Sequence, residues 1–111
     1  MNLQPILDTV FDGRTKGFPL GQTALRLSEI GSQAWNLLEG HLDTPVALLK
    51  ASVLDANAAW MGEFLRCTGV SLCPHGKTTM APQLFARQLR DGAWGLTLAT
   101  PQQTRIGLTY G

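Results

Sequence analysis

Val70-Ser71-Leu72-Cys73-Pro74-His75-Gly76-Lys77-Thr78-Thr79 runs from a short apolar stretch, through a proline, to a lysine. The first four residues suit a buried strand, and Pro74 predicts where it closes. After Lys77 a helical pattern takes over, with Ala81, Leu84, Phe85, Gln88 and Leu89 on one face. Pro82 falls in the first turn, where a proline costs nothing, and Gly92 predicts the stop. A lysine between a strand and a helix sits at the strand's C-terminal end. Partly withdrawn from water there, its amine would lose a proton more readily and could attack a carbonyl.

The reading extends outward in both directions. Downstream, Ala93-Trp94-Gly95-Leu96-Thr97-Leu98-Ala99 reads as a second strand. Thr100-Pro101-Gln102-Gln103 then supplies a cap, a proline at the first helical position and a glutamine at the third, which predicts a helix carrying Ile106, Leu108 and Tyr110. Upstream, Pro45 precedes Val46-Ala47-Leu48-Leu49, another strand candidate. Ser52 and Asp55 have capping-box spacing ahead of Leu54, Trp60, Met61, Phe64 and Leu65, and Gly69 predicts that helix's end. From residue 46 onward the order is β-α-β-α-β-α, which favours a parallel sheet or a (β/α) barrel.

Residues 1–44 have a different character. Gly13, Gly17, Pro19 and Gly21 interrupt any apolar period, so an irregular arm is expected, with one or two helices between Ser28 and Leu38. The division expected is an arm over residues 1–44 and an α/β portion over residues 45–111. A full (β/α) barrel takes roughly 250 residues, and a short parallel sheet leaves an open edge. Residues 45–111 are therefore expected to be the N-terminal piece of a larger α/β fold, either a parallel sheet or an incomplete (β/α) barrel.

Composition narrows the function classes. A net charge of +1 over 111 residues gives no electrostatic footprint for nucleic acid or an anionic membrane. No window approaches the roughly 18 apolar residues of a spanning helix. Nothing at the N-terminus reads as a secretion signal, and two cysteines make no disulfide framework, so a cytoplasmic protein is expected.

Other chemistries fare poorly. Gly76-Lys77-Thr78 has the tail of a phosphate-binding loop, but Ser71 stands where that motif needs its first glycine. Cys73 and His75 could share a strand face. A closed zinc site needs four ligands, however, and His41 and Cys67 lie in distant segments, so no metal site is assigned. Both cysteines read as buried structural thiols. Trp35, Trp60 and Trp94 read as packing anchors.

Several of these pieces together resemble a known family. Thr44-Pro45-Val46-Ala47-Leu48-Leu49, the helix with Asn57, Pro74-His75-Gly76-Lys77-Thr78, and Gly95-Leu96-Thr97-Leu98-Ala99-Thr100 look like the N-terminal part of fold-type III pyridoxal-phosphate enzymes. The nearest branch is that of D-serine dehydratase-like amino acid deaminases and D-threonine aldolases. Asp12-Gly13-Arg14-Thr15-Lys16-Gly17 and the stretch from Ile30-Gly31 to Trp35-Asn36-Leu37-Leu38 look most like its bacterial deaminases.

The resemblance implies an alanine racemase-type N-terminal barrel, with the strand at residues 46–49 belonging to a separate β domain. It implies pyridoxal 5'-phosphate as cofactor, Lys77 as its covalent anchor and acid/base, and His75 and Thr78 as supporting cofactor-site residues. The activity implied is conversion of an amino acid to an oxo acid and ammonia, in a full-length form that is a homodimer. Residues holding the cofactor phosphate and ring nitrogen lie later in such enzymes. The alternative is a non-catalytic remnant, or a binding fragment completed by a partner.

Overall fold

Ala51–Thr68 forms the longest helix of the computed structural model, which describes residues Met1–Gly111. Alanine, leucine, methionine and glutamate supply eight of its 18 residues, and these lose little freedom in a helix. It opens two residues earlier than the capping-box spacing suggested: Lys50 is the N-cap, and no side chain caps it. The Ser52–Asp55 box is therefore not formed, because both residues are already inside the helix. Gly69 ends it in the left-handed region (φ 68°), its N–H donating to the Leu65 carbonyl.

The chain forms two units, residues 3–48 and residues 49–111 with Met1 and Asn2. In the first, helix α1 (Gln4–Leu7) precedes an antiparallel pair, β1 (Val10–Phe11) with β2 (Leu25–Arg26), and helix α2 (Leu27–Ile30) follows. The register sets Val10 opposite Arg26 and Phe11 opposite Leu25. Two 3-10 turns, Gly31–Gln33 and Leu37–Glu39, complete it, separated by Ala34 at a positive φ of 52°. Phe18 is buried and meets Trp35 edge to face, with ring centroids 5.6 Å apart. Aromatic pairs favour this geometry because the positive ring edge meets the negative face. Residues 46–49, expected as a strand, pair with nothing here: Val46 is half-buried, while Leu48 and Leu49 stay exposed. An apolar run becomes a strand only where a neighbour accepts its backbone hydrogen bonds.

In the second unit helix α3 (Ala51–Thr68) is followed by α4 (Pro82–Arg90) and α5 (Pro101–Thr109). Between them, residues 72–76 run parallel to residues 94–97. The Leu72 carbonyl accepts from the Trp94 N–H, the Pro74 carbonyl from Thr97, and the Thr97 carbonyl accepts from Gly76, each at 2.9 Å. Only His75 and Thr97 form a full bridge. Pro74 explains the brevity, since it lacks the N–H that would extend the ladder toward Leu72. Pairing nevertheless passes through Pro74, so the predicted closure there is corrected: the segment continues to Gly76. Two parallel segments joined through a helix have β-α-β connectivity.

Helices α4 and α5 begin as their sequences predict. Pro82 and Pro101 occupy first-turn positions, and the Thr100 hydroxyl accepts from the Gln103 N–H at 3.2 Å. Gln103 reaches back to the Ala99 N–H at 2.8 Å. Arg87 on α4 forms an ion pair with Asp55 on α3 and a longer one with Asp91, 3.5 Å away. Phe85 is completely buried. By contrast Trp60 is 66% exposed, stacked on Phe64, and Trp94 is 79% exposed. These two tryptophans are surface residues of this chain, which corrects their expected role as packing anchors. Both cysteines are exposed, not buried. No helix is long and apolar enough to cross a membrane.

Candidate functional site

The site grows out of the parallel pair. Gly76 ends the first segment with both backbone groups committed: its N–H donates to Thr97, and its carbonyl accepts from the Met80 N–H at 2.9 Å. That second bond closes a turn over Lys77, Thr78 and Thr79, and Met80 leaves it at a positive φ of 45° before α4 begins. Thr97 anchors the other side. Its hydroxyl donates to the Cys73 carbonyl at 3.0 Å, in addition to its two backbone bonds. Lys77 is thus held just past the C-terminal end of a paired segment and just before a helix.

Gly76 is required for space, not for its dihedral freedom. A Cβ there would lie 2.5 Å from Cε1 and 2.9 Å from Cζ of Phe85, and 3.0 Å from Cδ2 of Leu98. Carbon atoms pack at about 3.5–4.0 Å, so any side chain at this position drives into the buried ring.

The structure brings Lys77, Thr78 and His75 onto one short stretch. All three are exposed, and none of their side chains makes a hydrogen bond or ion pair. Lys77 is open to solvent, where partial desolvation was expected. His75 lies at the bridge and Thr78 in the turn. A solvent-facing amine with no competing partner can form a covalent bond to an aldehyde, and adjacent free hydroxyl and imidazole groups can bond to what it holds. No three His, Cys, Asp or Glu side chains gather as a metal-binding group.

Two concavities lie elsewhere. One, of about 310 Å³, runs along α3 and α4 between Leu54, Met61, Leu65, Leu72 and Leu84, with Arg87 at its polar margin. Lys77 does not line it. It is the helix-packing side of the unit, where apolar side chains meet incompletely. The other, of about 290 Å³ in the first unit, is bordered by Pro19, Trp35 and His41. There His41 Nδ1 accepts from the Asn36 N–H at 3.0 Å. On α3, a bond to the Glu63 carboxylate pushes the Cys67 thiol pKa up, with a smaller contribution from burial. That shift makes the thiolate scarcer, which is the opposite of an activated nucleophile.

Sequence reasoning missed the positions of Thr97 and Phe85 around this turn. Thr97 read only as part of the second strand and of the stretch Gly95–Thr100, with nothing to mark its hydroxyl, and Phe85 read simply as one residue among five on a helix face.

No family model matches the chain. Over 59 residues it is 37% identical to D-threo-3-hydroxyaspartate dehydratase of Delftia sp. (strain HT23), an alignment covering 53% of this chain. The chain spans 16% of that protein's length. The chain is thus similar, over about half its length, to part of a dehydratase.

Proposed function

We propose that this chain is the N-terminal portion of a pyridoxal-phosphate-dependent amino acid dehydratase or deaminase, with Lys77 as the covalent anchor of the cofactor. The observation that carries the reading is the placement of Lys77: a free amine in a closed turn, directly after a parallel pair and before α4. Similarity to a dehydratase supports the same reaction class. The fold we propose for the complete protein is an alanine racemase-type (β/α) barrel, of which residues 72–97 would form two neighbouring strands and the helix between them. Its complete form would be a homodimer.

The residues present fit an anchor. Lys77 is exposed and its side chain has no partner to displace, and the side chains of Thr78 and His75, neighbours in the chain, are exposed and without partners as well. When bound, pyridoxal phosphate supplies an electron-withdrawing ring that lets a proton leave the substrate Cα. Lys77 would hold and return that proton at Nζ. Loss of a hydroxyl from Cβ followed by hydrolysis gives an oxo acid and ammonia. The test is spectroscopic: pyridoxal phosphate added to the protein should give a visible absorption band that Lys77→Ala removes. Lys16→Ala and Lys50→Ala should keep it. A band surviving Lys77→Ala sinks the assignment.

The exposure of Trp60 and Trp94 favours a second reading, a binding fragment whose apolar faces are completed by a partner. Size-exclusion chromatography with light scattering discriminates: self-association or capture of a partner supports it, and a well-behaved monomer counts against it.

A further inference from the structure

We propose that Phe85 is a positioning residue for Lys77, acting through Gly76, and this inference rests on the anchor reading above. Phe85 is 0% exposed, so its ring is covered on every side by other residues. The ring lies so close to Gly76 Cα that a single added carbon would meet Cε1 at 2.5 Å. Leu98 closes the remaining side, its Cδ2 3.0 Å from the same point. Gly76 is therefore pressed between a buried ring and a leucine from the neighbouring segment.

Its backbone is fixed in the same place. The N–H is held by Thr97 and the carbonyl by Met80, so the residue before Lys77 and the far end of the turn are tied to one another. Phe85 belongs to α4, and its own N–H donates to Ala81, immediately after Met80. The ring thus stands on the helix that the turn feeds and packs against the residue at which the turn begins. Any shift of α4 is transmitted to both ends of the turn. The proposed role of Phe85 is to set where the backbone carries the Lys77 amine.

The experiment uses the 111-residue chain as wild type, Gly76→Ala, Phe85→Leu and the double variant, each checked for folding by circular dichroism. Two readouts are taken. The first is hydrogen exchange at the Met80 amide, which reports the turn directly. The second is the rate at which pyridoxal phosphate, trapped with borohydride, labels Lys77 relative to Lys16 and Lys50. Gly76→Ala should speed Met80 exchange and lower the Lys77 preference by roughly tenfold, within the range that a displacement near 1 Å costs an oriented group. Phe85→Leu in the same chain removes the obstructing ring atoms and should restore both. That recovery is what generalised destabilisation would not give, since a second core truncation would only worsen it.

A folded Gly76→Ala chain with unchanged exchange and labelling overturns the proposal, as does a double variant no better than the single. Should Gly76→Ala fail to fold, Phe85→Leu alone decides: Met80 exchange accelerated beyond that of the helix amides of the same unit supports positioning, and acceleration no greater than theirs refutes it. Absence of any Lys77 preference in wild type would defeat the anchor reading instead, and the Met80 arm would still judge the role of Phe85.

Discussion

Replacing Phe85 by alanine should bring the second unit close to unfolding. The ring is 0% exposed, and a buried phenylalanine removes roughly 150–250 Å² from water. At roughly 25 cal/mol per Å² that is about 4–6 kcal/mol, an upper figure because an unfolded chain already hides part of this surface. Truncation of buried phenylalanine typically costs about 3–5 kcal/mol, and the high end applies where neighbours cannot collapse into the gap. Here Gly76 is pinned by bonds to Thr97 and Met80 and has no side chain to offer. Small domains hold only about 5–15 kcal/mol in total. Among the large hydrophobic residues only Phe18 and Phe85 are buried, which places this chain toward the bottom of that range. The expected outcome is a loss of about 4–5 kcal/mol in Phe85→Ala and about 1–2 kcal/mol in Phe85→Leu. Urea unfolding followed by far-ultraviolet circular dichroism measures both, with the slope unchanged if only stability moves. A Phe85→Ala protein within about 1 kcal/mol of wild type would refute the packing argument.

Four further outcomes follow from local geometry. Thr100→Ala removes the acceptor for the Gln103 N–H and should cost about 1 kcal/mol, seen as faster amide exchange confined to the first turn of α5. Gly62→Ala, inside α3 where a Cβ meets nothing, should stabilise by about 0.5–1 kcal/mol in the same unfolding assay. Gly69→Ala, at φ 68°, should destabilise by about 1 kcal/mol, so the two substitutions have opposite signs. Side-chain bonds from Arg14, then its backbone bond, hold the Asp12 carboxyl below its ordinary range. Whatever this contributes is fully present above the ordinary carboxylate pKa and is lost as pH falls through the lowered value. Nuclear magnetic resonance titration should show Asp12 moving upward in Arg14→Ala, and no movement would discard the pairing.

Local signals in the sequence translated well into structure where a residue's own backbone decides the outcome. Pro82, Gly69 and the Thr100-Pro101-Gln102-Gln103 start act through fixed φ, a left-handed stop and a short-range cap, and each stands where it was read. Signals that depend on a distant partner did not. Residues 46–49 have strand composition but no neighbouring backbone to pair with, and Trp60 and Trp94 are apolar without being covered. Cys67 and Cys73 are exposed for the same reason: burial belongs to the surroundings and cannot be read from residue type. Ser52 and Asp55 had the right spacing, yet Lys50 opened the helix, since helix formers before a box can extend it backward.

At the candidate site, the position of Lys77 after an extended segment and before a helix was legible from Pro74 and the period that follows. Its solvent exposure was not. The need for glycine at residue 76 was also hidden, because it arises from Phe85 and Leu98 approaching from later segments. Pairing through Pro74 belongs to the same class, being set by Thr97 across the ladder.

The most direct measurement is the identity of the lysine that bonds to the cofactor. The chain carries three, Lys16, Lys50 and Lys77, so the protein's own sequence supplies the controls. Reduction with borohydride in the presence of limiting pyridoxal phosphate, followed by peptide mass spectrometry, assigns the modified residue. The expected result is pyridoxyl modification concentrated on Lys77. Equal labelling of the three, or a preference for Lys16 or Lys50, would contradict the account.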